Sequence, residues 1–148
     1  MLFRSLALRG KAAIAQAVLA YSLFEKTFAG PRWERLAALG AVPQRPLWAS
    51  TSTKNPAYPD TLYVDRLIGP NSVNTLPENT LEAFDDHGTL ERTVDTDVAG
   101  AARTWEALAG LGVDADQVAG VLEQEGLASF EASFEDLIGS LHLKAGRH

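Results

Sequence analysis

No cysteine occurs among the 148 residues. That absence removes disulfides, thiolate metal sites and a cysteine nucleophile from consideration. Long apolar runs are also missing. The alanine-rich stretch Ala12 to Ala20 is broken by Gln16 and flanked by Lys11 and Glu25, so no membrane span fits it. Met1-Leu2-Phe3-Arg4 is too short to be the apolar core of a signal peptide. Positive charge is scarce as well, and the net charge is −6. Residues 1–46 hold seven basic and two acidic side chains, and residues 47–148 hold six basic and seventeen acidic ones. The basic residues follow helical spacings and do not gather into the stripe that a nucleic-acid surface needs. The expectation is a cytoplasmic protein with neither nucleic acid nor membrane as partner. No internal repeat or low-complexity segment is present.

What is there is an ordinary apolar fraction of 46%, enough for one domain with a core. Ile14, Val18, Tyr21 and Phe28 recur at helical spacing and predict a helix from Leu6 to Ala29. Gly30-Pro31 breaks it, and Pro31 opens a second helix that runs to about Leu39. Pro46 to Ala49 reads as a short strand. Asp60 is placed to cap a short helix holding Leu62, Tyr63, Leu67 and Ile68. Ser72 to Leu76 reads as a second strand. Pro77 then opens a helix with Leu81 and Phe84 on its inner face, ended by His87-Gly88. This order is that of parallel α/β units. From Asp95 onward the pattern predicts three helices: one to Leu111, one from Asp114 to Glu125 stopped by Gly126, and one starting near Ser129. The last carries Phe130, Phe134, Leu137, Ile138 and Leu141 as an amphipathic stripe.

The segment Arg45 to Pro56 (RPLWASTSTKNP) carries the chemistry. A short apolar run opens into Ser50, Thr51, Ser52, Thr53, Lys54 and Asn55. In α/β barrels ligands sit at the carboxyl ends of the strands, and a lysine among hydroxyls suits a phosphorylated or polyhydroxylated substrate. The hydroxyls have two readings, a binding loop or the satisfaction of backbone groups in a turn. Asp85-Asp86-His87 reads as an exposed polar cluster at a helix end. Arg9 and Lys11 read as surface charges. His142 and His148 have no partner at a ligand spacing, and Trp33, Trp48 and Trp105 read as packing residues.

Several blocks resemble the longer bacterial form of the transaldolase family. They are Leu8-Arg9-Gly10-Lys11-Ala12-Ala13-Ile14-Ala15, then Gln44 to Pro56, Thr61 to Pro77 (TLYVDRLIGPNSVNTLP) and Leu122 to Leu137 (LEQEGLASFEASFEDL). Met1 to Ser5 show no such resemblance. The resemblance implies an α/β fold, the C-terminal part of a (β/α)8 TIM barrel with an α-helical tail. Residues 6–92 would hold the last β/α units and 93–148 the tail.

The resemblance also implies a pentose phosphate pathway transferase. It moves a dihydroxyacetone unit from sedoheptulose 7-phosphate to glyceraldehyde 3-phosphate through a lysine Schiff base, with no metal or organic cofactor. A protonated imine is an electron sink for the carbanion left by C–C cleavage. The family's Schiff-base lysine lies on an earlier strand, in a segment reading apolar-Lys-Ile-Pro that is absent here, so no catalytic residue carries over. Lys54 falls where relatives place a basic residue, often arginine, that holds the substrate phosphate. Ser52 and Asn55 fall on a serine and an asparagine beside it. Lysine offers a point charge where arginine offers a fork. The expected partners are a sugar-phosphate substrate and a complementing N-terminal half, and the isolated chain is expected to be inactive. The alternative is a non-catalytic module that binds sugar phosphates or another protein. A truncated chain with no role is a third reading.

Overall fold

A computed structural model describes residues 5–146. The chain divides into two compact units, Met1–Leu111 and Gly112–His148.

In the first unit, helix α1 spans Ala12–Thr27 and α2 spans Gly30–Ala38. The turns from Ala7 to Lys11 stay outside α1, so the helix begins later than Leu6. Gly10 stands there at φ +72°, a conformation that ends helical continuity and suits glycine. Gly30 at φ +76° sets the angle between the two helices. Aromatic rings bridge that break: Phe24 meets Phe28 at 5.2 Å, and Phe28 meets Trp33 edge-on at 4.8 Å.

Strand β1 is Leu47–Trp48, α3 is Leu62–Asp65 and β2 is Val73–Asn74. The strands pair in parallel, with Leu47 opposite Val73 and Trp48 opposite Asn74. The Val73 amide donates to the Pro46 carbonyl at 2.9 Å, and the Thr75 amide donates to that of Trp48 at 3.0 Å. Helix α4 follows at Glu78–His87 and α5 at Val98–Ala109.

Helix α1 lies against α5, where Ala15, Val18 and Ala101 are buried together. A second cluster joins Tyr21, Leu67 and Val94, with Ile14, Ala17, Phe24 and Trp48 packed on it. Two polar groups of this cluster reach backbone carbonyls. The Tyr21 hydroxyl donates to Pro70 at 2.8 Å, and the Trp48 indole N–H donates to Leu67 at 3.1 Å. Burial pushes the Tyr21 phenol up from its ordinary pKa, with Glu25 and Asp95 acting the same way. Gly69 passes beneath these side chains so closely that a Cβ there would lie 2.2 Å from Val94 Cγ1.

Three further local expectations fail. Asp60 does not cap α3, and the helix stops at Asp65, leaving Leu67 and Ile68 beyond it. Thr61 takes the N-cap position, donates its hydroxyl to Asp65 at 2.6 Å, and leaves the Asp60 carboxylate free to bond His87 at 2.9 Å. Leu81 does not face inward but is 54% exposed. The buried residue of α4 is Thr80, one position round the helix, so the inner face is rotated from the apolar periodicity. Thirdly, the tail after Asp95 forms two helices, not three. Helix α6 runs unbroken over Ala115–Ala145. Gly126 is not among the positive-φ glycines. A glycine held in helical geometry costs about 1 kcal/mol against alanine, and the flanking helix formers offset that.

Both tail helices carry aspartate caps, the second at the expected Asp114. Asp97 accepts from the Gly100 amide at 2.8 Å, and Asp114 accepts from Asp116 at 3.0 Å and Gln117 at 3.1 Å. The second unit, containing α6, has no buried residue in that helix. Phe130, Phe134, Leu137, Ile138 and Leu141 form a stripe that is exposed throughout. No helix among the described residues is long and apolar enough to cross a membrane.

Candidate functional site

The site is built at the carboxyl end of β1. The backbone turns sharply at Ser50, which sits at φ +56°, in the left-handed region that side chains other than glycine seldom adopt. The next residue holds the turn in place. Thr51 is buried, and its hydroxyl donates to the Asn74 side-chain oxygen at 2.7 Å. The loop leaving β1 is thereby tied to the end of β2. The two residues beyond Thr51 divide between the two readings of the hydroxyl run. Thr53 donates to the Asp60 carbonyl at 3.2 Å, which is turn satisfaction. The Ser52 hydroxyl accepts from Lys54 Nζ at 2.8 Å, which joins two of the expected site residues.

Ser52, Lys54 and Asn55 all line one cavity of about 490 Å³, with Ser50, Thr51, Tyr58, Tyr63 and Gln16 among its walls. Among the described residues Lys54 is the one charged residue in that lining. Asn55 also serves its own loop. Its side-chain oxygen accepts from the Ala57 amide at 2.9 Å, an Asx turn that sets the path to Tyr58. The cavity also runs along Leu47, Trp48 and Ala49. Leu47 and Trp48 are β1 itself, which among the described residues pairs with β2 on one side alone.

The loop from Asn55 to Asp60 has a second anchor. His87, the last residue of α4, bonds Asp60 through Nε2 at 2.9 Å and Asp86 through Nδ1 at 3.0 Å. The bond to Asp60, and then that to Asp86, raises the imidazole above its ordinary pKa. The same bond lowers the Asp60 carboxyl. The exposed cluster read at Asp85-Asp86-His87 is therefore an anchor that reaches back across the chain to Asp60, a contact the sequence spacing does not disclose. The segment after α4 is held by Asp65, whose carboxylate accepts from the Thr89 amide at 2.9 Å, and by Thr93, whose hydroxyl donates to the Asp65 carbonyl at 2.6 Å.

Sequence reasoning missed a second cavity of about 460 Å³ beside the first. Arg9 and Lys11, read as plain surface charges, line it together with Arg66, and Tyr58 belongs to both linings. No spacing signal links residue 66 to residues 9 and 11. Among the described residues no group of three or more metal-ligating side chains is present.

Comparison with known proteins gives this geometry a setting. Residues 2–141 match the family model described as transaldolase/fructose-6-phosphate aldolase. The match begins inside Met1 to Ser5, against the expectation that this stretch stands outside the resemblance; Met1 to Arg4 lie outside the described residues. The chain is 56% identical over 141 residues to the transaldolase of Parafrankia sp. (strain EAN1pec), covering 95% of this chain and 38% of the relative. It is 53% identical over 142 residues to that of Frankia alni, again at 95% and 38%. The transaldolase of Acidothermus cellulolyticus is 54% identical over 134 residues, 90% of this chain and 36% of the relative. The chain thus spans little more than a third of the length of these relatives, in agreement with a C-terminal portion. It belongs to the transaldolase/fructose-6-phosphate aldolase family.

Proposed function

We propose that this chain is the C-terminal portion of a transaldolase, a cytoplasmic pentose phosphate pathway enzyme, and that it supplies the phosphate-binding end of the substrate site. The observation that carries the reading is the Lys54–Ser52 pair, 2.8 Å apart at the carboxyl end of a parallel strand. An ammonium and a hydroxyl at one cavity wall match a phosphate monoester: the charge attracts the dianion, and the hydroxyl, which accepts from Lys54, keeps its own proton to donate. Asn55 holds the turn and offers its amide hydrogens.

The reaction transfers dihydroxyacetone from sedoheptulose 7-phosphate to glyceraldehyde 3-phosphate through a lysine imine. Lys54 is a poor candidate for that imine. It is exposed and already donates to Ser52, whereas a nucleophilic lysine needs desolvation or a neighbouring cation. The two strands among the described residues are also far from the eight of a closed barrel. The free edge of β1 along the cavity is where a neighbouring strand of the complementing N-terminal half would pair. We therefore read the isolated chain as inactive and the N-terminal half as its partner.

Borohydride trapping with fructose 6-phosphate, read by intact-protein mass, tests this. The chain alone should give no adduct. A stoichiometric adduct on Lys54 would overturn both the phosphate role and the need for a partner.

A further inference from the structure

We propose that the second cavity is a separate site for a small phosphate monoester whose apolar body rests on the cavity floor. Three cations line it: Arg9 and Lys11 on either side of Gly10, and Arg66 at the end of α3. Among the described residues Asp97 is the one carboxylate in the lining. It is already engaged, capping α5 through the Gly100 amide at 2.8 Å, with Arg103 3.9 Å away. Among the described residues, Arg9, Lys11 and Arg66 take part in no ion pair. Three unpaired cations around one concavity repel each other, and a bound dianion would relieve that cost.

The rest of the lining decides what else the ligand carries. Thr93, Thr96 and Thr104 contribute hydroxyls, but each donates its proton to a backbone carbonyl, Asp65, Thr93 and Gly100 respectively. They can accept and not donate, so these three hydroxyls offer the anion no proton. Ile14, Ala15, Val18, Leu62 and Ala101 form an apolar floor, which a sugar would not fill well. The first turn of α1, entered from Lys11, has no acidic side chain, so its amide end also favours an anion. A volume of about 460 Å³ suits a ligand of modest size. Among the described residues this site differs from the Lys54 cavity in every charged residue and shares the Tyr58 wall alone.

The test is an amide ¹H–¹⁵N titration of the full chain at constant ionic strength, with inorganic phosphate and with phenyl phosphate. Gly10 and Gly100 line the cavity and serve as reporters. Their signals should shift saturably with phosphate, and phenyl phosphate should bind about tenfold more tightly because its ring covers apolar surface. Arg66→Gln should weaken both ligands tenfold or more, Arg66→Lys should restore part of the affinity, and Lys54→Gln should change neither. Unmoved Tyr21 and Val94 signals certify that a variant is folded, and Lys11→Gln replaces Arg66→Gln if they move. Three results would each overturn the proposal: no saturable shift at Gly10 and Gly100, shifts that survive the charge removals, or equal affinity for the two ligands. Shifts confined to Ser52, Lys54 and Asn55 would overturn it too, leaving the Lys54 cavity standing as a lone anion site.

Discussion

Adding one methyl group at Gly69 should damage this protein, while the same change at Gly126 should help it. At Gly69 the new Cβ would stand 2.2 Å from Val94 Cγ1 and 3.4 Å from the Tyr21 ring and its hydroxyl. Val94 is 0% exposed and Tyr21 is 2% exposed, so neither has solvent to move into. Overpacking of a closed site costs ~1–3 kcal/mol. Displacing Tyr21 would also loosen its 2.8 Å bond to Pro70, worth ~1 kcal/mol. Gly69→Ala should therefore lose ~2–4 kcal/mol, and the melting temperature should fall by at least ~10 °C for a unit of this size. Gly126 has nothing within 4 Å of its missing Cβ and lies inside helix α6, so Gly126→Ala should gain ~0.5–1 kcal/mol through helix propensity. Urea unfolding followed at Trp48, which packs on the Tyr21 cluster, reads the first change. Helical ellipticity on heating reads the second. A loss below ~0.5 kcal/mol at Gly69 would show that Val94 is not confined as described.

Other perturbations probe the loop and its anchors. Thr51→Val keeps the shape but removes the 2.7 Å bond to Asn74; leaving that oxygen unsatisfied should cost ~1–3 kcal/mol in urea unfolding, and a neutral result would remove Thr51 as the tie between the strand ends. Ser50→Gly should raise stability by ~0.5–1 kcal/mol and Ser50→Val should lower it, because φ +56° suits glycine and penalises a β-branched residue; the opposite order would mean that the turn relaxes in solution. The His87 anchor should be pH-dependent. Its folded pKa is raised above 6.5, so its stabilisation is complete below 6.5 and fades as pH rises through the higher folded value. Asp60 is lowered from 3.8, so its share appears above 3.8 and is lost as pH falls through the lower folded value. The bridge is strongest between those limits; an NMR titration of the His87 ring should show a midpoint above 6.5 that Asp60→Asn brings down, and an unchanged midpoint would remove Asp60 as the cause.

How legible the architecture was from the residues depended on the range of the forces. Both strands, and the helices starting near Pro31 and Pro77, follow from local grammar, because Gly-Pro punctuation and apolar spacing act within a few residues. The Lys54–Ser52 pair was accessible for the same reason: its members lie two positions apart. The misses share a different cause. Gly126 looked like a stop, but termination depends on a left-handed conformation that surrounding helix formers overrode. Leu81 looked internal, but which face of α4 is buried depends on what the helix packs against. Thr51 with Asn74, Asp60 with His87, and Arg66 with Arg9 and Lys11 are meetings across dozens of residues, and a lone chain carries no signal of them. The family resemblance told which part of its relatives this chain matches, and it did not disclose the second cavity.

The pairing of β1 with β2 also bears on how the chain comes together. Leu47 and Val73 can meet only after the whole intervening segment has been drawn in, and closing a loop of that length costs about 3 kcal/mol of chain entropy beyond a constant term. Two backbone hydrogen bonds between strands two residues long return too little to nucleate such a closure. The indole of Trp48 reaching Leu67 and the phenol of Tyr21 reaching Pro70 bring in the same segment with large apolar surfaces attached. The aromatic side chains of α1 and β1 are therefore expected to order the segment before the strand ladder closes, and truncating Tyr21 or Trp48 should slow refolding more than a substitution at Leu47 or Val73 does.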